Sequence, residues 1–95
     1  METAQQVEVL FTDSLRLRFP ALKDGRYSGA NLLELLNAIE REHPRFISYI
    51  LDDQQAVRKH VAVAIDGNVL RRSVASDVSL KGVSTVHIWQ ALSGG

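Results

Sequence analysis

Hydrophobic and polar positions alternate along the first stretch of the chain. Val7, Val9 and Phe11 alternate with Glu8, Leu10 and Thr12, the period of a strand with one buried face. Leu15, Leu17 and Phe19 then alternate with Arg16 and Arg18, which predicts a second strand with its arginines outward. Thr12-Asp13-Ser14 between them supplies turn chemistry, because short polar side chains bond their own backbone. A β-hairpin is therefore expected, ended by Pro20, which lacks the N–H that a ladder requires.

After two turn signals, Asp24-Gly25 and Ser28-Gly29, the period changes. Leu32, Leu35, Leu36 and Ile39 fall on one helical stripe, with Glu34, Asn37, Glu40 and Arg41 away from it. The spacing predicts a helix over 31–43, capped by Ser28 or Asn31 and stopped by Pro44. Residues 45–59 are mixed and predict a short apolar helical turn and a polar loop. Val61, Val63 and Ile65 alternate with Ala62 and Ala64, a strand apolar on both faces and hence central in a sheet. Asp66-Gly67 turns the chain into a short strand through Val69 and Leu70. Residues 71–84 read as a loop with Leu80 plugged into the core, and residues 85–90 resume the alternation as a last strand.

One sheet with one helix across a face satisfies this order, since the helix stripe and the inward strand residues must bury each other. The expected class is α+β, a ubiquitin-like β-grasp with a four- to five-stranded mixed sheet and one main helix. Its first and last strands would be parallel neighbours in the middle. Residues 1–91 are expected to form the domain, with 1–6 disordered and 92–95 a flexible tail. Residues 90–95, fully extended, reach about 20 Å.

Composition narrows the function. At 95 residues, 45% apolar and 23% charged, the chain has the make-up of one small globular domain. Eleven basic against eleven acidic residues give no net charge, which argues against a nucleic-acid partner. No cysteine is present, so disulfides, a thiolate nucleophile and a Cys-based zinc site are excluded. Neither a signal peptide nor a membrane-spanning run is visible, and a cytoplasmic location is expected. His43, His60 and His87 lie on different predicted elements without metal-ligand spacing. Asp13-Ser14 is no nucleophile elbow, Asp52-Asp53 reads as loop solvation, and no cofactor box appears. Arg16, Arg18, Arg58-Lys59 and Arg71-Arg72 read first as solvated charge guarding sheet edges, and alternatively as contacts to an acidic partner. Trp89 and Phe11 read first as sheet residues, with Trp89 a candidate interface anchor beside the tail.

The sequence closes on Leu92-Ser93-Gly94-Gly95. Paired glycines lack Cβ atoms, so such a segment can thread a narrow channel and leave a terminal carboxylate open. With the Leu-Leu-Glu-Leu-Leu helix of residues 32–36, the strand and turn of residues 61–67, and Val86-His87-Ile88-Trp89 leading into this tail, the chain resembles the ThiS/MoaD family of ubiquitin-like sulfur carriers. The resemblance implies a carrier that is not an enzyme and binds no cofactor. An E1-like partner would adenylate Gly95 with ATP, a sulfur donor would convert it to a thiocarboxylate, and a sulfur-accepting enzyme would consume it. Gly94 would let the tail enter the activating site, and Leu92 and Ser93 would anchor it in the partner's groove. Trp89, Arg71 and Arg72 are the candidate partner surface, and the free protein is expected to be a monomer.

Two positions depart from the family pattern: Gly82-Val83-Ser84-Thr85 stands where a Gly-Asp-Glu type loop is frequent, and Gln90-Ala91 where prolines are frequent. The length of residues 45–59 is more like the branch that feeds sulfur to amino-acid synthesis than the thiamin or molybdopterin carriers. Two other readings stay open: a ubiquitin-like modifier conjugated through Gly95, and a plain β-grasp interaction domain.

Overall fold

The computed structural model describes residues 6–70 and 73–91. Strand β1 (Gln6–Phe11) is followed by helix α1 (Asp13–Arg16), β2 (Gly25–Ser28), α2 (Leu32–Glu40), α3 (Phe46–Ile50), β3 (Val61–Ile65), β4 (Asn68–Val69), a 3-10 turn (Ala75–Asp77) and β5 (Thr85–Gln90). The five strands form one mixed sheet in the order β2-β1-β5-β3-β4. β1 and β5 pair in parallel at its centre, with Val9 opposite Val86 and Phe11 opposite Ile88, and the other neighbours are antiparallel.

The alternation of the sequence decides what each face meets. Val7, Val9 and Phe11 of β1, Val86 and Ile88 of β5, and Val61 and Val63 of β3 are buried in one cluster with Leu32, Leu35, Leu36 and Ile39 of α2. This is the helix stripe and strand face expected to cover each other, and Leu80 joins them, fully buried.

α2 begins where its chemistry directs. Asn31 is extended, and its side chain accepts the Glu34 N–H (2.9 Å), filling one of the orphan donors of the first turn. Glu34 reaches back to accept from the Ala30 N–H (2.9 Å), a reciprocal arrangement close to a capping box. Just ahead, Gly29 is pressed against α2 so closely that a Cβ there would lie 2.6 Å from the Leu35 backbone nitrogen. α2 as a regular helix ends at Glu40; the chain continues in a turn, the His43 N–H still donating to the Ile39 carbonyl (3.0 Å), up to Pro44.

The early hairpin is a correction. Residues 13–16 are the short helix α1, and the strand that pairs with β1 is Gly25–Ser28, after a connection over residues 12–24. Leu15 is fully buried while Leu17 is 85% exposed, so the two leucines do not share a face as strand residues would. Leu15 and Phe19, four apart, are the pair joined by a helical hydrogen bond, Phe19 N–H to the Leu15 carbonyl (3.0 Å). Arg16 and Arg18 accordingly are not on the outer face of a strand. Arg16 binds Asp13 (2.9 Å), Asp24 (3.0 Å) and the Leu22 carbonyl (3.0 Å), and thereby ties the connection together. Asp24, expected in a turn, accepts the Phe11 N–H (2.8 Å) at the end of β1.

Among the described residues, no helix is long and apolar enough to cross a membrane.

Candidate functional site

The central position of β5 governs the site. Every residue of β5 from Val86 to Ile88 has a strand partner on both sides, so the strand's end is held by the sheet. At that end the Ala91 N–H donates to the His60 carbonyl (2.8 Å), extending the pairing one residue past the strand. Leu92, Ser93, Gly94 and Gly95, the predicted carrier tail, lie outside the described residues, as do Arg71 and Arg72. Of the predicted site residues, the structure places Trp89.

Trp89 is half-buried on the sheet face opposite the helices, where it is paired with Ala62 of β3. Its ring lies 5.1 Å from that of His87, two residues back on the same face. His87 in turn stands between Leu10 of β1 and Ala64 of β3, and Val69, paired with Ala64, is 58% exposed. Leu10, His87, Trp89, Ala62 and Val69 thus make an uncovered, mostly apolar strip leading to the strand end. The sequence read Trp89 first as a sheet residue and second as an interface anchor, and period-two alternation from the buried Ile88 explains why it faces this side. His87 was legible by the same period, but in the sequence it reads as one of three scattered histidines.

A chain of rings reaches the same end of the sheet from inside. Phe11 and Phe19 both meet Phe46 edge-on (6.0 and 5.3 Å), Phe19 meets Tyr49 (5.8 Å), and Tyr49 meets His60 (4.9 Å). The residue whose carbonyl holds Ala91 is therefore braced against the core through aromatic contacts.

The other end of β5 carries the loop that departs from the family pattern. Asp66, in the left-handed region at φ 49°, accepts the N–H groups of Ser84 (3.0 Å) and Thr85 (2.9 Å). Residues 82–85 are thereby fixed at the entry to β5, the length of the strand away from Gln90. Among the described residues, no three His, Cys, Asp or Glu side chains gather as a metal site. Tyr27, whose hydroxyl donates to Glu42 (3.1 Å), has its pKa raised by burial and then by that hydrogen bond and charge; it stands on β2, at the sheet edge away from β3.

The sheet order, the helix across one face and the central parallel pair define a ubiquitin-like β-grasp protein. The ThiS family model matches residues 14–95, and the chain belongs to that family of small carrier proteins. Two solved structures share the fold. One is the solution structure of the small archaeal modifier protein 1 from Methanosarcina acetivorans (20% identity, TM-score 0.73, 99% of this chain and 100% of that chain). The other is a chain of the Amycolatopsis orientalis BexX/CysO complex (25% identity, TM-score 0.72, 94% of this chain and 99% of that chain). No curated protein matches the chain significantly.

Proposed function

We propose that this protein carries sulfur as a thiocarboxylate on Gly95. A carboxylate is a poor electrophile until one oxygen becomes part of a good leaving group. An E1-like partner supplies it: a Gly95 carboxylate oxygen attacks the α-phosphorus of ATP, pyrophosphate leaves, and the acyl adenylate forms. Sulfide released by a sulfur donor then attacks the carbonyl carbon as HS−, the acyl–phosphate bond breaks, AMP departs and the thiocarboxylate remains, so the chain itself catalyses nothing and needs no bound cofactor. The thiocarboxylate passes its sulfur to an accepting enzyme. The observation that carries this reading is the ThiS family match through residue 95 on a fold whose central strand leads straight into Leu92-Ser93-Gly94-Gly95.

The folded part has two assignments in this scheme. It fixes the root of the tail, through β5 and the Ala91 to His60 hydrogen bond, and it offers the strip of Trp89, His87 and Leu10 to the partner. Half-buried aromatic residues beside a binding element are favoured interface anchors. The BexX/CysO complex contains a chain of this fold together with a protein partner, which supports partner binding by such a carrier.

Intact-mass measurement of the protein from its native host tests the proposal. An oxygen-to-sulfur replacement confined to Gly95 is expected. Ladders of conjugates to lysines would instead mark a protein modifier, and an unmodified C-terminus with no adenylate formed on Gly95 would leave only an interaction domain.

A further inference from the structure

Two adjoining concavities open beside the root of the tail. One, of 390 Å³, is lined by Arg18, Ser48, Tyr49, Arg58, His60 and Gln90. The other, of 400 Å³, shares Arg18, Ser48 and Tyr49 with it and adds Phe19, Pro44 and Arg45. Three arginines and, among the described residues, no carboxylate line this groove, in a chain whose charges sum to zero. Both ion pairs among the described residues belong to Arg16, so Arg18, Arg45 and Arg58 make none there. Cations gathered without counter-charges raise the local potential and favour an anionic ligand.

The groove is also pre-shaped. The Arg18 guanidinium lies over the Tyr49 ring, 5.1 Å from its centre, and Arg58 Nε donates to the Ser48 carbonyl (3.1 Å). Side chains already held lose less freedom when a ligand arrives. Arg45 starts α3 in the left-handed region at φ 77°, where an arginine is costlier than glycine. In the wall beneath Tyr49, His60 Nε2 is buried without a hydrogen-bond partner among the described residues.

We propose that this groove binds an acidic peptide segment of the protein that receives the tail, with carboxylates on Arg18, Arg45 and Arg58 and an apolar side chain against Phe19, Pro44 and Tyr49. Guanidinium groups pair with carboxylates bidentately. The apolar floor selects a peptide over a polyphosphate, which would gain nothing from it. Gln90 in the lining places the segment next to the tail, so one partner can hold both. The proposal rests on the carrier reading only for the identity of the protein that supplies the segment.

The test titrates the full chain, labelled with 15N, with the acetylated and amidated peptide EEFEE, using QQFQQ and inorganic tripolyphosphate as controls. EEFEE is expected to shift the amides of Ser48, Tyr49 and His60, to weaken with added salt, and to bind at least about tenfold more weakly to Arg18→Glu/Arg58→Glu. Arg45→Gly, which relieves the left-handed backbone, is expected to weaken binding in a fully folded protein. Shifts scattered over the surface, equal binding of QQFQQ, tighter binding of tripolyphosphate, or indifference to charge reversal would each overturn the proposal. A second arm measures adenylate formation with the host's E1-like enzyme. Charge reversal is expected to raise the KM for the carrier with kcat unchanged, whereas removal of Gly95 abolishes the reaction. If removal of Gly95 abolishes it and charge reversal does nothing, the groove is wrong and the carrier reading stands. If adenylate still forms without Gly95, the carrier reading fails whatever the peptide does.

Discussion

Ile88 and Trp89 are neighbours on β5 with opposite assignments, and replacing each by alanine separates them. Ile88 is fully buried, opposite Phe11 on one side and Val63 on the other, inside the cluster that α2 covers. Ile88→Ala removes three carbons, each contributing roughly 0.8 kcal/mol when buried, so transfer alone is about 2.4 kcal/mol. The cavity left behind raises the cost to about 3–4 kcal/mol, within the usual range for such truncations. A domain of this length is stable by only about 5–14 kcal/mol, so the loss is a large fraction of the whole. With a urea dependence of about 1.5 kcal/mol per molar, the unfolding midpoint should fall by about 2 M. Trp89 is half-buried on the uncovered face, and Trp89→Ala should move the same midpoint by less than half as much. In a pull-down with the proposed E1-like partner the ranking should reverse: Trp89→Ala is expected to weaken capture, while Ile88→Ala, assayed where it remains folded, is not. Equal midpoint shifts for the two variants would refute the assignment of faces, and undiminished capture by Trp89→Ala would refute the role of the open strip.

Other expectations follow from the fold. Gly29→Ala forces a methyl group into the Leu35 backbone, which cannot yield as a flexible side chain would, and should destabilise by about 1–3 kcal/mol in the same urea assay; a stabilised variant would contradict the close approach. Asn31→Ala removes the cap of α2 and should cost about 1 kcal/mol, with Asn31→Asp restoring most of it in thermal melts. Tyr27 should ionise above the ordinary tyrosine range in an ultraviolet titration, because burial and Glu42 favour its neutral phenol. A group whose folded pKa is raised contributes stability that is complete below its unfolded pKa and lost as pH rises through the folded one. Tyr27→Phe should therefore flatten the alkaline limb of the stability profile and leave neutral pH unaffected by this ionisation.

Most of the sheet was legible because period-two alternation survived wherever one strand face was buried. Val61 to Ile65 and Thr85 to Gln90 fall where the pattern put them, and the central parallel pair is the one expected of the β-grasp arrangement. The stretch from Leu15 to Phe19 misled because two apolar residues spaced four apart, with an exposed leucine between them, mimic a strand's alternation. What distinguishes the two is the burial of Leu15 against the exposure of Leu17, which depends on tertiary packing. The cluster around the root of the tail was hidden for another reason. Arg18, Tyr49, Arg58 and His60 come from three separated segments, and only the return of residues 45–60 beside α1 brings them together. The sequence had singled out two of those arginines as ordinary solvated charge.

The placement of β5 also has a mechanical consequence. A partner that draws the tail into its own channel pulls along the axis of a strand bonded to β1 on one side and β3 on the other. Such a load is shear: it is shared by both ladders at once, so the bonds cannot be opened one after another as in peeling an edge strand. In the proposed cycle of activation and release, the sheet behind residue 91 would serve as a fixed anchor against that load.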